Sequence, residues 1–300
     1  MYYNNDTIIY LDGQWVSPEK AGSNLYNQTM HYGLGVFEGI RSYDTEVGVS
    51  IFKAREHYER LVWSARQMKI PFDYSVEQLI DINYELLERN HFANAYIRPL
   101  VYMDPCMSLT PGKKSNFAMM AWVWDKFLGD QLIKVTISPY RRPDPRSCVV
   151  EAKVSGHYVN SILASVEARE RGYDEALLLD VNGYVAEGPG ANFFFENGGI
   201  LFTSPPGNIL PGITRATIMD LANELGIPVK EKFFTPDEVK GADAAFFVGT
   251  ATEVCGIESL DDIPFAKAWP ATSGYRLSKA YQQLIHKKQY VPQTALTYGA

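Results

Sequence analysis

The stretch "LDVNGYVAEGPGANFFFENGG" (residues 179–199) holds two Asn-Gly pairs, Asn182-Gly183 and Asn197-Gly198, each set between apolar runs. Asn and Gly tolerate the positive φ of tight hairpin turns, so such a pair between hydrophobic runs marks a β-hairpin. Two of them close together predict strands joined by tight turns. Toward the C-terminus, "LPGITRATIMDLANELGI" (210–227) reads as a loop leading into an amphipathic helix that stops at Gly226. "AAFFVGTATEVCGI" (244–257) reads as a strand running into a turn of small residues. Toward the N-terminus, a helix over about 160–171 follows the proline-broken loop "YRRPDPRSC" (140–148).

The first half alternates the same signals. Residues 7–11 read as a strand before the turn Asp12-Gly13. Residues 55–68 carry Tyr58, Leu61, Val62, Ala65 and Met68 at helical spacing, and a second helix over 75–90 has Ser75 as its N-cap. "AYIRPLVYM", "FAMMAWVW" and "IKVTISPY", rich in β-branched and aromatic residues, predict strands. The expected organisation is a small α+β domain (residues 1–123), a linker (124–131) and a larger domain (132–300).

Composition limits the function classes. The chain has 300 residues, 46% of them hydrophobic, and a net charge of −7 with its basic residues scattered, which argues against a nucleic-acid footprint. No apolar run reaches the roughly 18 residues of a membrane span, and the N-terminus lacks the pattern of a signal peptide. A soluble, cytoplasmic protein is therefore expected. Cys106, Cys148 and Cys255 are too widely spaced for a disulfide framework or a zinc motif. The dispersed histidines predict no metal site. "GLGVFEG" (33–39) has the wrong spacing for a dinucleotide fingerprint, "PGKKS" (111–115) lacks the first glycine of a P-loop, and no G-x-S-x-G elbow occurs.

What remains is "EAKVSGHYVNSILAS" (151–165), where Lys153 stands in a turn of small residues with Tyr158 five positions on. A lysine attacks carbonyls only as the free amine, which burial or neighbouring charge must favour. Enzymes that use pyridoxal 5'-phosphate (PLP) exploit this chemistry. They also need a carboxylate at the ring nitrogen, a donor to the phenolic oxygen and a phosphate cup. "LPGITRAT" before a helix and "VGTAT" after a strand both suit such a cup. On spacing alone, a surface lysine and a cofactor lysine both stand.

Taken together, the blocks resemble a known family. "HYGLGVFEGIRSY", "REHYERL", "AYIRPL", A-K-x4-Y, "LDVNGYVAEGPGANFFF", "LPGITR" and "GTATE" occur in the order found in the fold-type IV PLP aminotransferases, the branched-chain aminotransferase family. The resemblance spans about residues 7–285. It implies a two-domain α+β fold like that of D-amino acid aminotransferase, the larger domain having a barrel-like β core, and at least a homodimer. It implies PLP as cofactor, with Lys153 as the Schiff-base lysine and proton carrier. Tyr158 would meet the phenolic oxygen and Glu187 the pyridine nitrogen, while Arg55, Ile213, Thr214 and Thr250 would hold the phosphate. Phe37, Gly39, Tyr96 and Trp124 would line the substrate pocket, with Tyr32 supplied by the partner subunit. Tyr96, Thr250 and Ala251 would bind the α-carboxylate, and Arg98 the distal carboxylate of glutamate.

The implied activity is ping-pong transfer of the amino group from branched-chain L-amino acids to 2-oxoglutarate. D-amino acid or (R)-amine aminotransferases and aminodeoxychorismate lyase share the scaffold and are the alternatives. Four positions depart from the family pattern: Ser108 and Leu109 in "CMSLTP", Phe127, and His157 beside the catalytic turn. None belongs to the cofactor anchors, but they bear on substrate range.

Overall fold

The protein is described by a computed structural model covering residues 2–124, 128–129 and 131–286. Phe127, and Asp125, Lys126 and Asp130 of the expected linker, lie outside the described residues.

The first sheet comprises β1 (Ile9–Leu11), β2 (Gln14–Val16), β3 (Gly35–Phe37), β4 (Ile40–Thr45), β5 (Gly48–Ile51), β6 (Ala95–Met103) and β7 (Ser115–Trp122). Its order is β2-β1-β7-β6-β4-β5, with β3 also paired to β6, and every pairing is antiparallel. Before β3 lies the short α1 (Gln28–Tyr32). Against the sheet pack α2 (Ala54–Gln67) and α3 (Val76–Arg89), which bury Tyr58, Leu61, Leu79 and Leu86 with Ile97, Val101 and Phe117. Ser75 caps α3 as its sequence predicts, and Gln78 completes a reciprocal capping box.

The second sheet holds β8 (Ile133–Arg141), β9 (Glu175–Leu179), β10 (Val185–Glu187), β11 (Asn192–Asn197), β12 (Ile200–Thr203), β13 (Val229–Glu231), β14 (Ala244–Gly249), β15 (Glu253–Leu260) and β16 (Ile263–Pro264). The path β10-β9-β8-β15-β14-β11 returns to β10 through a β10–β11 pairing, so six strands close into a barrel. Closure removes the exposed edges that an open sheet would present. The run Phe193-Phe194-Phe195 shows why this core is apolar on both faces. Successive side chains in a strand point to opposite sides. Phe193 and Phe195 join Val135, Leu177, Val185, Phe247 and Ile257 in one cluster contributed by all six barrel strands. Phe194 stacks on Phe246, 5.3 Å between centroids, and both pack under α5 (Ile213–Glu224) and α7 (Ser273–His286).

Both predicted hairpins form. The Asn197/Ile200 pair is closed by Gly198 and Gly199, both at positive φ, and Asp180 to Tyr184 link β9 to β10. The helix after the lysine is α4 (Tyr158–Glu170); the short α6 (Pro236–Lys240), the hairpin β4–β5 and the C-terminal α7 had no sequence expectation.

Candidate active site

Between the two sheets opens a cavity of about 1070 Å³. Its floor is the Lys153 turn, between β8 and α4. The backbone of this turn is held chiefly by the first sheet and its helix. Phe37 N donates to Lys153 O (3.1 Å), Gly156 N donates to Gly33 O (3.1 Å), and Lys153 N donates to Ser64 Oγ (3.1 Å). A bridge between Val36 and Val154 completes the join. Gly33, at φ 70°, ends α1, and a Cβ there would stand 2.6 Å from Gly156 Cα. The bareness of Gly156 therefore admits the Gly33 backbone, whereas Ala152 faces the cavity. Lys153 Nζ donates to Tyr158 Oη at 2.7 Å and lies 5.0 Å from the centre of the Phe37 ring.

Glu187 ends β10 and is buried in the cavity wall. It accepts from Asn192 Nδ2 (2.9 Å) and Leu210 N (3.1 Å), and pairs with Arg142 Nε at 2.9 Å without the alignment of a hydrogen bond. Burial raises its carboxyl above the usual range, and the Arg142 charge opposes that shift. His157 lines the cavity nearby. Burial, and then the Arg142 charge, press its imidazole below the ordinary value, so it is neutral at pH 7.

Beside Glu187, the start of α5 forms the next part of the wall. Gly212 is its N-cap and offers no side-chain acceptor, so the first-turn N–H groups of Ile213 and Thr214, residues that line the cavity, have no capping side chain. A Cβ at Gly212 would lie 1.9 Å from Asn192 Oδ1, which reserves the position for glycine. Thr250 and Ala251 line the cavity from the turn between β14 and β15. That turn is anchored from behind. Arg41 reaches Ala251 O (3.4 Å), and buried Glu253, at φ 56°, accepts from Tyr43 Oη (3.0 Å) and Gln282 Nε2 (2.6 Å).

Phe37, Gly39, Tyr96, Arg98 and Trp124 form the remaining rim. Gly39 leaves room for the Tyr96 hydroxyl, which would stand 2.1 Å from a Cβ placed there. Trp124 meets Tyr96 edge-on at 4.9 Å. Arg98 donates to Tyr96 Oη (3.0 Å) and lies over Phe37 at 4.6 Å; among the described residues no carboxylate pairs with it.

Two expected residues are not brought to this cavity. Arg55 is a correction. Its side chain is 55% exposed and bridges to Glu77 at 3.0 Å, on the solvent side of α2. Arg60 lines the cavity instead, buried and donating through Nη1 to Pro211 O (2.9 Å). At about 100° per residue, Arg60 borders the buried arc of His57, Leu61 and Ser64, about 40° from Ser64, whereas Arg55 points to the opposite side of the helix. Helical phase was thus the signal that separates the two arginines of "REHYERL". Tyr32 is exposed and donates to Met107 O (3.4 Å), away from its own chain's cavity. Leu109 stands 89% exposed on the loop that also carries Ser108. Sequence reasoning also passed over Glu38, His57 and Arg142. Among the described residues no cluster suited to a metal occurs, and no helix is long and apolar enough to cross a membrane.

A lysine amine beside a phenol, a buried carboxylate and an uncapped helix start define a class, and comparison with known proteins agrees. Residues 35–260 match the family model for class IV amino-transferases, and the chain belongs to that family. It is a transaminase, similar to the branched-chain-amino-acid aminotransferase of Pseudomonas aeruginosa, at 40% identity over 95% of each chain. A crystal structure of the branched-chain aminotransferase from Thermoproteus uzoniensis with norvaline superposes with a TM-score of 0.90, at 37% identity over 93% of this chain and 94% of that one. The branched-chain amino acid aminotransferase from Thermobaculum terrenum, in its PLP-bound holo form, gives 0.88, at 30% identity over 94% of each chain. The fold is that of the fold-type IV enzymes.

Proposed function

We propose that this protein transfers the α-amino group of branched-chain L-amino acids to 2-oxoglutarate, using PLP, in ping-pong order. The observation that carries the reading is the rim. An aromatic wall of Phe37, Tyr96 and Trp124 suits an aliphatic side chain, and Arg98, with no carboxylate partner among the described residues, suits a distal acid.

The residues present fit the cofactor. Lys153 would carry it, Tyr158 would donate to its phenolic oxygen and Glu187 would face its ring nitrogen. Arg60, replacing Arg55, would hold the phosphate with the N–H groups of Ile213 and Thr214 and with Thr250. When bound, PLP supplies a ring that withdraws negative charge from the substrate Cα. Lys153 Nζ is the base that takes the Cα proton, and Tyr158, 2.7 Å away, orients it. The Arg142 charge favours the ionised form of Glu187 that a protonated ring nitrogen requires. Tyr96 and the Thr250-Ala251 turn receive the α-carboxylate, leaving the side chain against Phe37 and Trp124. The closely apposed Gly39 and Tyr96 set the depth of that pocket.

Further parts of the reading are a domain division at 1–123, 124–131 and 132–300, a homodimer or higher assembly in which Tyr32 completes the neighbouring site, and a cytoplasmic location. The departures at Ser108, Leu109, Phe127 and His157 bear on the ranking of leucine, isoleucine, valine and aromatic substrates.

An amino-donor screen tests the assignment. Leucine, isoleucine and valine with 2-oxoglutarate should turn over, D-alanine should not, and Lys153→Ala should lose both turnover and the visible absorbance of lysine-bound PLP. Preference for D-amino acids or (R)-amines, or release of pyruvate from aminodeoxychorismate, would overturn it.

A further inference from the structure

The mechanism uses Arg60 but leaves its two buried partners, Glu38 and His57, without a role. Glu38 follows β3 and is fully buried, between Phe37 and Gly39 of the substrate rim. Its carboxylate accepts from Arg60 Nε (2.6 Å), Arg60 Nη2 (2.8 Å) and His57 Nδ1 (2.7 Å). Burial works to raise the Glu38 carboxyl, but the Arg60 charge and hydrogen bonds, with His57, hold it well below the usual carboxylate range. Burial also keeps His57 below its ordinary value, so its Nδ1–H is a neutral donor to a charged acceptor. Arg60 Nη1 reaches Pro211 O, immediately before the N-cap of α5.

Two edges of one guanidinium are therefore fixed by different parts of the chain. A carboxylate from the first sheet grips one edge in a fork, which sets the plane as well as the position. The carbonyl before α5 fixes another. A buried Arg–Glu pair is weak evidence for stability, because removing two charges from water opposes the attraction between them. Its placement has a different consequence. An arginine alone at the start of α5 could swing away, whereas here its plane is set before any anion arrives, and less order is lost on binding. Glu38 also cancels most of the arginine's net charge, so the cup discriminates by direction of its donors more than by attraction.

We propose that Glu38 and His57 are positioning residues that fix Arg60 as an oriented anion donor at the start of α5. The inference rests on the reading that the cavity takes PLP, and extends it to how the phosphate is distinguished.

The test compares PLP with pyridoxal, which lacks the phosphate, on the full chain stripped of cofactor and reloaded. The readout is the dissociation constant of pyridoxal divided by that of PLP. In Glu38→Gln the ratio should fall roughly 10- to 100-fold, through weaker PLP binding with pyridoxal unchanged, as expected on losing an oriented charge-assisted contact. Arg60→Met should fall as far, and the double variant no further. A folded Glu38→Gln that keeps the wild-type ratio, or loses both ligands equally, overturns the proposal. Where Glu38→Gln does not fold, Glu38→Asp, which keeps the charge but withdraws the fork, carries the same expectation and the same refutation. A wild-type chain that takes up neither compound would sink the cofactor reading instead. The positioning role is then read from inorganic phosphate: a thermal upshift present in wild type and lost in the variant supports it, and one retained overturns it.

Discussion

Replacing Gly212 by alanine creates one severe steric contact. The backbone there, φ −70° and ψ 130°, accepts any L-residue, so no conformational strain is added. The new Cβ would stand 1.9 Å from Asn192 Oδ1 and 3.1 Å from its Cγ, well inside contact distance, so the Asn192 amide must leave. That amide holds Glu187 Oε2 at 2.9 Å and Leu210 O at 3.0 Å. Losing one hydrogen bond to a buried carboxylate and one to a carbonyl costs about 3 kcal/mol. For a chain of 300 residues that lowers Tm by roughly 5 °C. Differential scanning calorimetry of the cofactor-free chain measures it, with Asn192→Ala and the double variant completing the cycle. In the Asn192→Ala background the glycine replacement should cost far less, because only the tight contact with Arg215 Cβ, 3.2 Å, is left. If the two costs instead add, Asn192 is not what reserves position 212 for glycine.

Other outcomes follow from the same geometry. Arg98→Met should lower kcat/KM for 2-oxoglutarate roughly 10- to 150-fold, as expected for a lost charge-assisted contact, while leaving the leucine half-reaction within a few-fold; stopped-flow traces of the separate halves would show the split. Glu187, whose folded value lies above its ordinary 4.5, contributes stability that is full below that value and is lost as pH rises through the raised one. The Tm difference between the cofactor-free wild type and Glu187→Gln should therefore vary with pH across that window and be level outside it. Tyr43→Phe strips a donor from buried Glu253 and should lower Tm by roughly 3 °C, about 2 kcal/mol, measurable in the same calorimeter.

Much of this was legible in the sequence, for physical reasons that differ by element. The hairpins at Asn182-Gly183 and Asn197-Gly198 declare themselves because their turns need backbone conformations that few residues accept. Ser75 and Gly226 do the same for helix ends. Closure of the barrel was not written in any local pattern, since the β10–β11 pairing that completes it comes from the global path of the sheet. The hairpin β4–β5 has a second strand of only four residues, Gly-Val-Ser-Ile, exposed at its start, and left little periodicity to find. At the site, Lys153, Tyr158 and Glu187 sit in runs whose order carries the family resemblance. Arg55 was preferred to Arg60 because a motif gives order but not phase, and the helical arc that buries Arg60 decides between them. Glu38 stood inside a quoted block and went unread, because a carboxylate's role is set by a partner 22 residues on.

Lys153 sits on a turn whose main chain is held by Phe37, Gly33 and Ser64, the last 89 residues away in sequence. Such distant pairings are closed late, after shorter loops have formed. Each half can collapse on its own core, but Lys153 acquires its place only when the halves meet. A refolding chain should accordingly gain its cofactor colour in step with the last structural phase and not before, which keeps an unfinished chain from trapping stray carbonyl compounds at the very amine it later needs.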